Sequence, residues 1–414
     1  MKKTILDCGL TILTEKYATI PSFALSYTIK SGSCNETVKD NGIHHLIEHM
    51  LFKGSDKYSQ KDIADISDRL GGRMNAFTSR EITQYYIKSI DEKLGESFDL
   101  LSDIVFSSAF DNNEFKKEVE VIKQEIKESS DNPDSCTFEM FYNDVFGNSG
   151  IGLPIAGTVE SVSGLERDQV YQYYKDLYHP SNAILSCTGN IEHDIVVSLA
   201  EKWFSGFVKK TGLQKDKKEI KFRTGILPHP KKDLQQLYSI IGFRSIPVIS
   251  PDRFKYMIMN DILGSGMSSR LFQKIREEKG LAYTIASFID SYMDFGVHII
   301  YAVTDPGKKE DYLNAIKEEF RSLKEDGISE EELKKSKDHI KTSLILSLES
   351  NVSKMRFNIN GELYFKKPKK IKDIINEINI VTVDDINKIL TDYPDPGNIS
   401  TLLYGNFAED NHIF

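Results

Sequence analysis

The chain has 414 residues, 40% hydrophobic and 28% charged, enough to bury a sizeable core and more than one compact unit usually holds, so two domains are expected. Its formal net charge of −9 is scattered along the sequence with no basic block to neutralise a row of phosphates, which argues against a nucleic-acid partner. Cys8, Cys34, Cys136 and Cys187 are far apart and form no CxxC pair, which argues against a disulfide framework and against a thiolate metal site.

In chain order, the opening MKKTILDCGLTILTEK carries Asp7 inside the apolar run that a secretory signal would need. No stretch approaches the roughly 18 apolar residues of a spanning helix. A soluble, cytoplasmic protein without a membrane partner is therefore expected. FALSYTIKSGS (23–33), TQYYIKSI (83–90) and AILSCTGN (183–190) read as strands in the first half, and LYSIIGFRS, GVHIIYAVT and STLLYGN in the second. Between them lie longer amphipathic helices such as DYLNAIKEEFRSLKEDG (311–327). The alternation predicts an α+β fold with mainly antiparallel sheets.

The two halves resemble each other. DQVYQYYKDLYHPSNAILSCTGN (168–190) and DDINKILTDYPDPGNISTLLYGN (384–406) share a helix, a Pro-containing turn and a strand ending in Gly-Asn. At an offset of 216, Asp168 falls on Asp384, Asp176 on Asp392, Pro180 on Pro396, Asn182 on Asn398 and Gly189-Asn190 on Gly405-Asn406. A second pair, FDNNEFKKEVEVIKQEI (110–126) and ISEEELKKSKDHIKTSL (328–344), aligns at an offset of 218 and reads as helix in both copies. An internal duplication follows. Domains are expected over 1–212 and 231–414, joined by a polar, lysine-rich linker over 213–230.

IHHLIEHMLFKGS (43–55) carries the chemistry. On a helix His45 and His49 are one turn apart on one face, close enough to share an ion, and Glu48 stands beside them. His45-Leu46-Ile47-Glu48-His49 is an HxxEH motif, the reverse of the common zinc-peptidase order. A catalytic zinc takes three protein ligands and keeps a position open, so a third ligand must come from elsewhere. Glu125, in EFKKEVEVIKQEIKE, is the best candidate, and Glu118 lies two helical turns before it on the same face. The repeat places Ser336 and Ser343 opposite this pair, and the second half has no HxxEH. One half is built for metal and the other is not. His44, one residue off the ligand face, is read as a packing residue or as a support for the ligands.

At these residues the sequence resembles, over essentially its full length, the pitrilysin and mitochondrial processing peptidase family of inverzincin metallopeptidases, in its short-chain bacterial branch. The resemblance implies one zinc per chain on His45, His49 and Glu125, with Glu48 as general base and Glu118 as a second acidic residue supporting catalysis. It implies two homologous α+β domains forming half of a clam-shell chamber. GGRMNAFTSREITQYY (71–86) is similar to the family's edge strand, where substrate is added as an extra β-strand. Backbone groups around Asn75, Ala76 and Phe77 would pair with the peptide, and the Asn75 side chain would hold it near the metal. GSGMSSRLFQKIREEKGLAY (264–283) is similar to the segment carrying the family's Arg and Tyr pair, here Arg276 and Tyr283, which would bind substrate backbone and stabilise the developing oxyanion.

The activity so implied is zinc-dependent hydrolysis of unfolded or presequence-like peptides, by a homodimer whose sites are shared between subunits. Two alternatives stay open on the sequence: a catalytically silent assembly subunit of the same fold, and an active subunit that needs an inactive partner.

Overall fold

Period-two alternation and three-to-four spacing are both realised in the computed structural model, which describes residues 1–211, 220–394 and 396–407. The first half runs β1 (Lys2–Ile5), β2 (Thr11–Lys16), β3 (Ser22–Ile29), α1 (Ile43–Met50), α2 (Gln60–Arg69), β4 (Arg73–Thr78), β5 (Thr83–Ile90), α3 (Leu94–Phe106) and α4 (Asn112–Asp131). It continues through α5 (Pro133–Phe146), α6 (Val159–Ser163), α7 (Arg167–Leu177), β6 (Ala183–Gly189) and α8 (His193–Phe204). The second half runs β7 (Gly225–Pro230), β8 (Leu237–Ser245), α9 (Arg253–Gly264), β9 (Ala282–Ser291), β10 (Gly296–Thr304), α10 (Lys309–Asp326), α11 (Glu330–Ser347), α12 (Asn351–Phe365), α13 (Ile371–Asn379), α14 (Val383–Asp392) and β11 (Ile399–Gly405). No helix among the described residues is long and apolar enough to cross a membrane.

The first sheet has the order β1-β2-β6-β3-β5-β4 and the second β7-β11-β8-β10-β9. Each contains one parallel pair, β2 with β6 and β7 with β11, among antiparallel ones. The α+β expectation holds, and the two sheets are the same sheet with one extra strand, β1, in the first. The aligned turn residues have a common cause. Gly189 and Gly405 close their strands at φ +139° and +157°. A Cβ at either would run into a carbonyl at the start of the neighbouring strand, Ser22 in one copy and Gln236 in the other.

The compact units are not the two continuous halves. One gathers the described residues of Met1–Ser130, Asn148–Glu219 and Ser347–Pro368; the other takes Asp131–Gly147, Ile220–Leu346 and Lys369–Phe414. Thus α5 belongs with the second sheet and α12 with the first. Both begin 218 residues apart at the same repeat position, and each is capped locally: Asn132 Oδ1 accepts from Asp134 N at 2.9 Å, and Ser350 Oγ from Ser353 N at 3.0 Å. Of the linker expected over 213–230, residues 213–219 lie outside the described residues, while Gly225–Pro230 is strand β7, paired in parallel with β11.

In the first unit the sheet separates two apolar layers. On one face Leu25, Tyr27, Tyr85 and Ile87 pack under α1 and α3 with Leu46, Ile47 and Phe98; on the other Ala24, Tyr86 and Ile184 meet Met355, Ile359 and Leu363 of α12. In the second unit α5 lies on β8 so closely that a Cβ at Gly242 would fall far inside van der Waals contact of the Phe141 ring. Gly242→Ala should therefore destabilise this unit by about 1–3 kcal/mol, the usual cost of overpacking. The check is thermal unfolding followed by circular dichroism, in which an unchanged midpoint would contradict the seating of α5 on β8.

Candidate metal centre

Helix α1 places Ile43, Leu46, Ile47 and Met50 at the spacing of one helical face, and all four are fully buried. The opposite face therefore presents His45, Glu48 and His49. The N-terminus of α1 is held by Glu36, a fully buried carboxylate that accepts from Gly42 N at 2.8 Å and from His44 N at 3.0 Å. His44 turns away from the ligand face and is itself fully buried, its Nδ1 2.8 Å from Glu36 and its Nε2 2.8 Å from Ser31 Oγ. It supports the helix and is not a ligand.

Helix α4 buries Phe115, Glu118 and Ile122, which brings Glu125 to the same side as Glu118. His45 Nε2 lies 3.2 Å and His49 Nε2 3.6 Å from Glu125 Oε2. One ligand atom from each of the three residues falls within 4.8 Å of the others, and among the described residues no other such set of three exists. A tetrahedral ion with ligands at about 2.0–2.2 Å spaces its donor atoms roughly 3.3–3.6 Å apart. Two of the observed edges, 3.2 and 3.6 Å, bracket that range. Two imidazoles and one carboxylate are also the donor types of a catalytic zinc, so these residues fit the ion.

The remaining groups sort by what they touch. Glu118 Oε2 accepts from His49 Nδ1 at 3.0 Å, and its other oxygen pairs with Lys53 Nζ at 2.8 Å. It thus orients His49 through the nitrogen that faces away from Glu125. Burial alone would raise the Glu118 pKa, but the bonds from His49 and Lys53 outweigh it and hold the carboxyl below its ordinary value. Glu125 is likewise held low, mainly by its bond from His45. Burial opposes protonation of His45, yet its contacts with Glu125 and Glu48 push its pKa up to about 9.

Glu48 Oε2 accepts from Thr78 Oγ1 at 2.5 Å and lies 3.8 Å from His45 Nδ1. Thr78 ends β4, the edge strand of the sheet, which contains Asn75, Ala76 and Phe77. The Asn75 side chain folds back on this strand, its Oδ1 accepting from Ala76 N at 2.8 Å. Glu36, Lys53 and Thr78 were not singled out from the sequence. Lys53 could have been, since it follows His49 by one helical turn's spacing, although α1 itself ends at Met50. Thr78 needed the strand's parity, and Glu36, in extended backbone just after a short 3-10 segment, carried no local signal.

Arg276 and Tyr283 come together within the other unit, but not on one helical face. Phe272–Glu278 is a π-helical turn, Gly280 reverses the chain at φ +58°, and Tyr283 lies at the start of β9. The Arg276 guanidinium sits 5.6 Å from the Tyr283 ring centre and 4.7 Å from that of Phe272. Arg276 and Tyr283, which is 77% exposed, line one cavity of about 560 Å³ together with Gln236, Thr304 and Lys308. At the positions opposite Glu118 and Glu125, Ser336 is buried with its hydroxyl 3.4 Å from Ile258 O, and Ser343 is exposed.

Comparison with known proteins agrees with this division. Residues 11–159 match the profile "Insulinase (Peptidase family M16)" and residues 164–340 the profile "Peptidase M16 inactive domain". An uncharacterized zinc protease of Bacillus subtilis is 40% identical over 390 residues, covering 94% of each chain, and one of Rickettsia felis is 36% identical over 93% of this chain and 94% of its own. A protease from Helicobacter pylori has the same fold, with a TM-score of 0.89 at 22% identity over 98% of this chain and 99% of that one. The first half of the chain, with its HxxEH helix and glutamate pair, and the second half, which repeats the sheet without them, together place the protein in peptidase family M16.

Proposed function

We propose that the protein is a zinc-dependent endopeptidase acting on unfolded peptides. The observation that carries this reading is the convergence of His45, His49 and Glu125 with Glu48 beside them. Bound at these three residues, zinc would supply Lewis-acid chemistry, activating water near neutral pH and polarising the scissile carbonyl. Glu48 would take the proton from water and deliver it to the leaving amine. Thr78 would hold the Glu48 carboxylate in place, and Glu118 would fix the tautomer and orientation of His49. β4, as an edge strand, suits substrate binding by strand addition, in which the peptide's carbonyl would replace Asn75 Oδ1 at Ala76 N. Arg276 and Tyr283 would bind substrate backbone and stabilise the oxyanion. A silent assembly subunit would need no complete donor set, and this chain has one.

Since one chain carries both the metal residues and the Arg/Tyr pair, a homodimer with two composite sites fits without an inactive partner. The protein should bind about one zinc per chain. Glu48→Gln should keep that zinc, by elemental analysis, while losing at least about a hundredfold in turnover of an unstructured peptide; full turnover would remove Glu48 as base. Glu118→Gln should weaken zinc affinity by about 10- to 100-fold in competition with a chelator. Equal affinity would mean that Glu118 does not position His49. Mixing Glu48→Gln chains with Arg276→Ala chains should restore part of the activity, whereas no recovery in confirmed mixed dimers would place each site within one chain.

A further inference from the structure

The parity of the edge strand determines where a bound peptide's side chains go. Met74 and Ala76 pack against the core beneath α1, and Thr78, of the same parity, reaches Glu48. Asn75 and Phe77 therefore emerge on the other face of the sheet, the face covered by α12. A peptide strand added to β4 alternates in step. Its residues beside Ala76 and Thr78 face the metal residues, and those beside Asn75 and Phe77 face α12.

On that second face stands Arg356 of α12. Its guanidinium lies 5.2 Å from the ring centre of Phe77 and 5.6 Å from that of Tyr86, and its Nε is 3.4 Å from Gln84 Oε1. The residue is exposed and makes no ion pair among the described residues. Three acidic groups of the same unit have other partners: Glu362 pairs with Lys3 at 2.7 Å, Glu15 accepts from Asn358 at 2.8 Å and Glu81 from Tyr364 at 2.7 Å. A guanidinium held against two rings and donating from Nε to Gln84 is oriented, while its two terminal nitrogens remain to meet a carboxylate. An ordinary solvated arginine would not be held over the strand that substrate joins.

We infer that Arg356 is a specificity-determining residue that selects an acidic side chain, aspartate or glutamate, at the substrate position lying beside Phe77. The inference rests on the peptidase reading and on strand addition at β4. It assigns a substrate class, peptides carrying a carboxylate close to the scissile bond on the face away from the metal. It also gives a substrate-reading task to a helix that the second half of the sequence contributes.

The test is the cut-site profile of the zinc-loaded full-length protein on a library of unstructured peptides, read by mass spectrometry. Asp and Glu should be enriched at one position near the cut. For a matched pair of peptides with Glu or Gln there, the Glu peptide should be favoured about three- to tenfold in kcat/KM, less at high salt. Arg356→Gln should erase that ratio and Arg356→Glu should invert it toward Lys and Arg, an inversion that a merely structural role would not produce. Because Arg356 is exposed, both variants should melt like the parent. Cleavage without an acidic preference, or a preference that survives both substitutions, overturns the role of Arg356 and leaves the peptidase reading intact. No cleavage by the zinc-loaded parent overturns both.

Discussion

The metal centre depends on the burial of one stripe of α1. The helix has eight residues, below the roughly 12–15 at which an isolated helix holds together in water, so its own propensity does not keep it formed. What keeps it is the removal of Ile43, Leu46, Ile47 and Met50 from water, at about 1.5–3 kcal/mol for each large apolar side chain. Once that stripe is buried, helical geometry leaves His45, Glu48 and His49 no direction but the opposite one. The axial position of the helix is set separately, by the Glu36 carboxylate on its first N–H groups and on His44. Ligand geometry is thus a by-product of packing on one side and of one buried carboxylate at the end.

Three glutamates around two imidazoles would repel one another, and the neighbours decide which remains available. Glu118 is neutralised by Lys53 and bonded to His49 Nδ1, so its charge is already used. Glu48 is tied to Thr78 on the sheet edge. Glu125, with its side chain 43% exposed, is paired among the described residues with the two imidazoles alone. Three residues of one chemical type thereby sit in three different surroundings, which suit the proposed tasks of ligand, base and support.

Much of this was legible in the sequence where a rule of spacing applies. The HxxEH face, the seven-residue interval between Glu118 and Glu125, and the paired Gly-Asn strand ends are each local patterns with one structural meaning. The packing role of His44 was among the readings its offset allowed, and its bonds to Glu36 and Ser31 select it. Spacing failed where contact depends on tertiary packing. Glu36 reaches the helix from an irregular segment, and Thr78 meets Glu48 only because the edge strand presents that parity to α1. Arg276 and Tyr283, seven residues apart in sequence, meet across a chain reversal at Gly280. Spacing also carries no sign that Pro133–Phe146 and Asn351–Phe365 each cover the sheet of the other half of the sequence.

The duplicated chain works as one protein because its halves exchange helices. Residues 1–212 contain the whole donor set, yet Ala24, Tyr86 and Ile184 of the first sheet are buried by Met355, Ile359 and Leu363, which belong to the second half of the sequence. The second sheet is completed in the same way by Pro133–Phe146 from the first half. Neither half buries its own sheet alone, so the fold needs the second copy although that copy has no HxxEH motif. Its sheet repeats the strand order of the first, and serines stand opposite Glu118 and Glu125, one buried in packing and one in solvent. His45, Glu48, His49 and Glu125 sit on helix faces that do not bury the sheet, whereas the exchanged helices α5 and α12 do bury one, and both copies have such a helix.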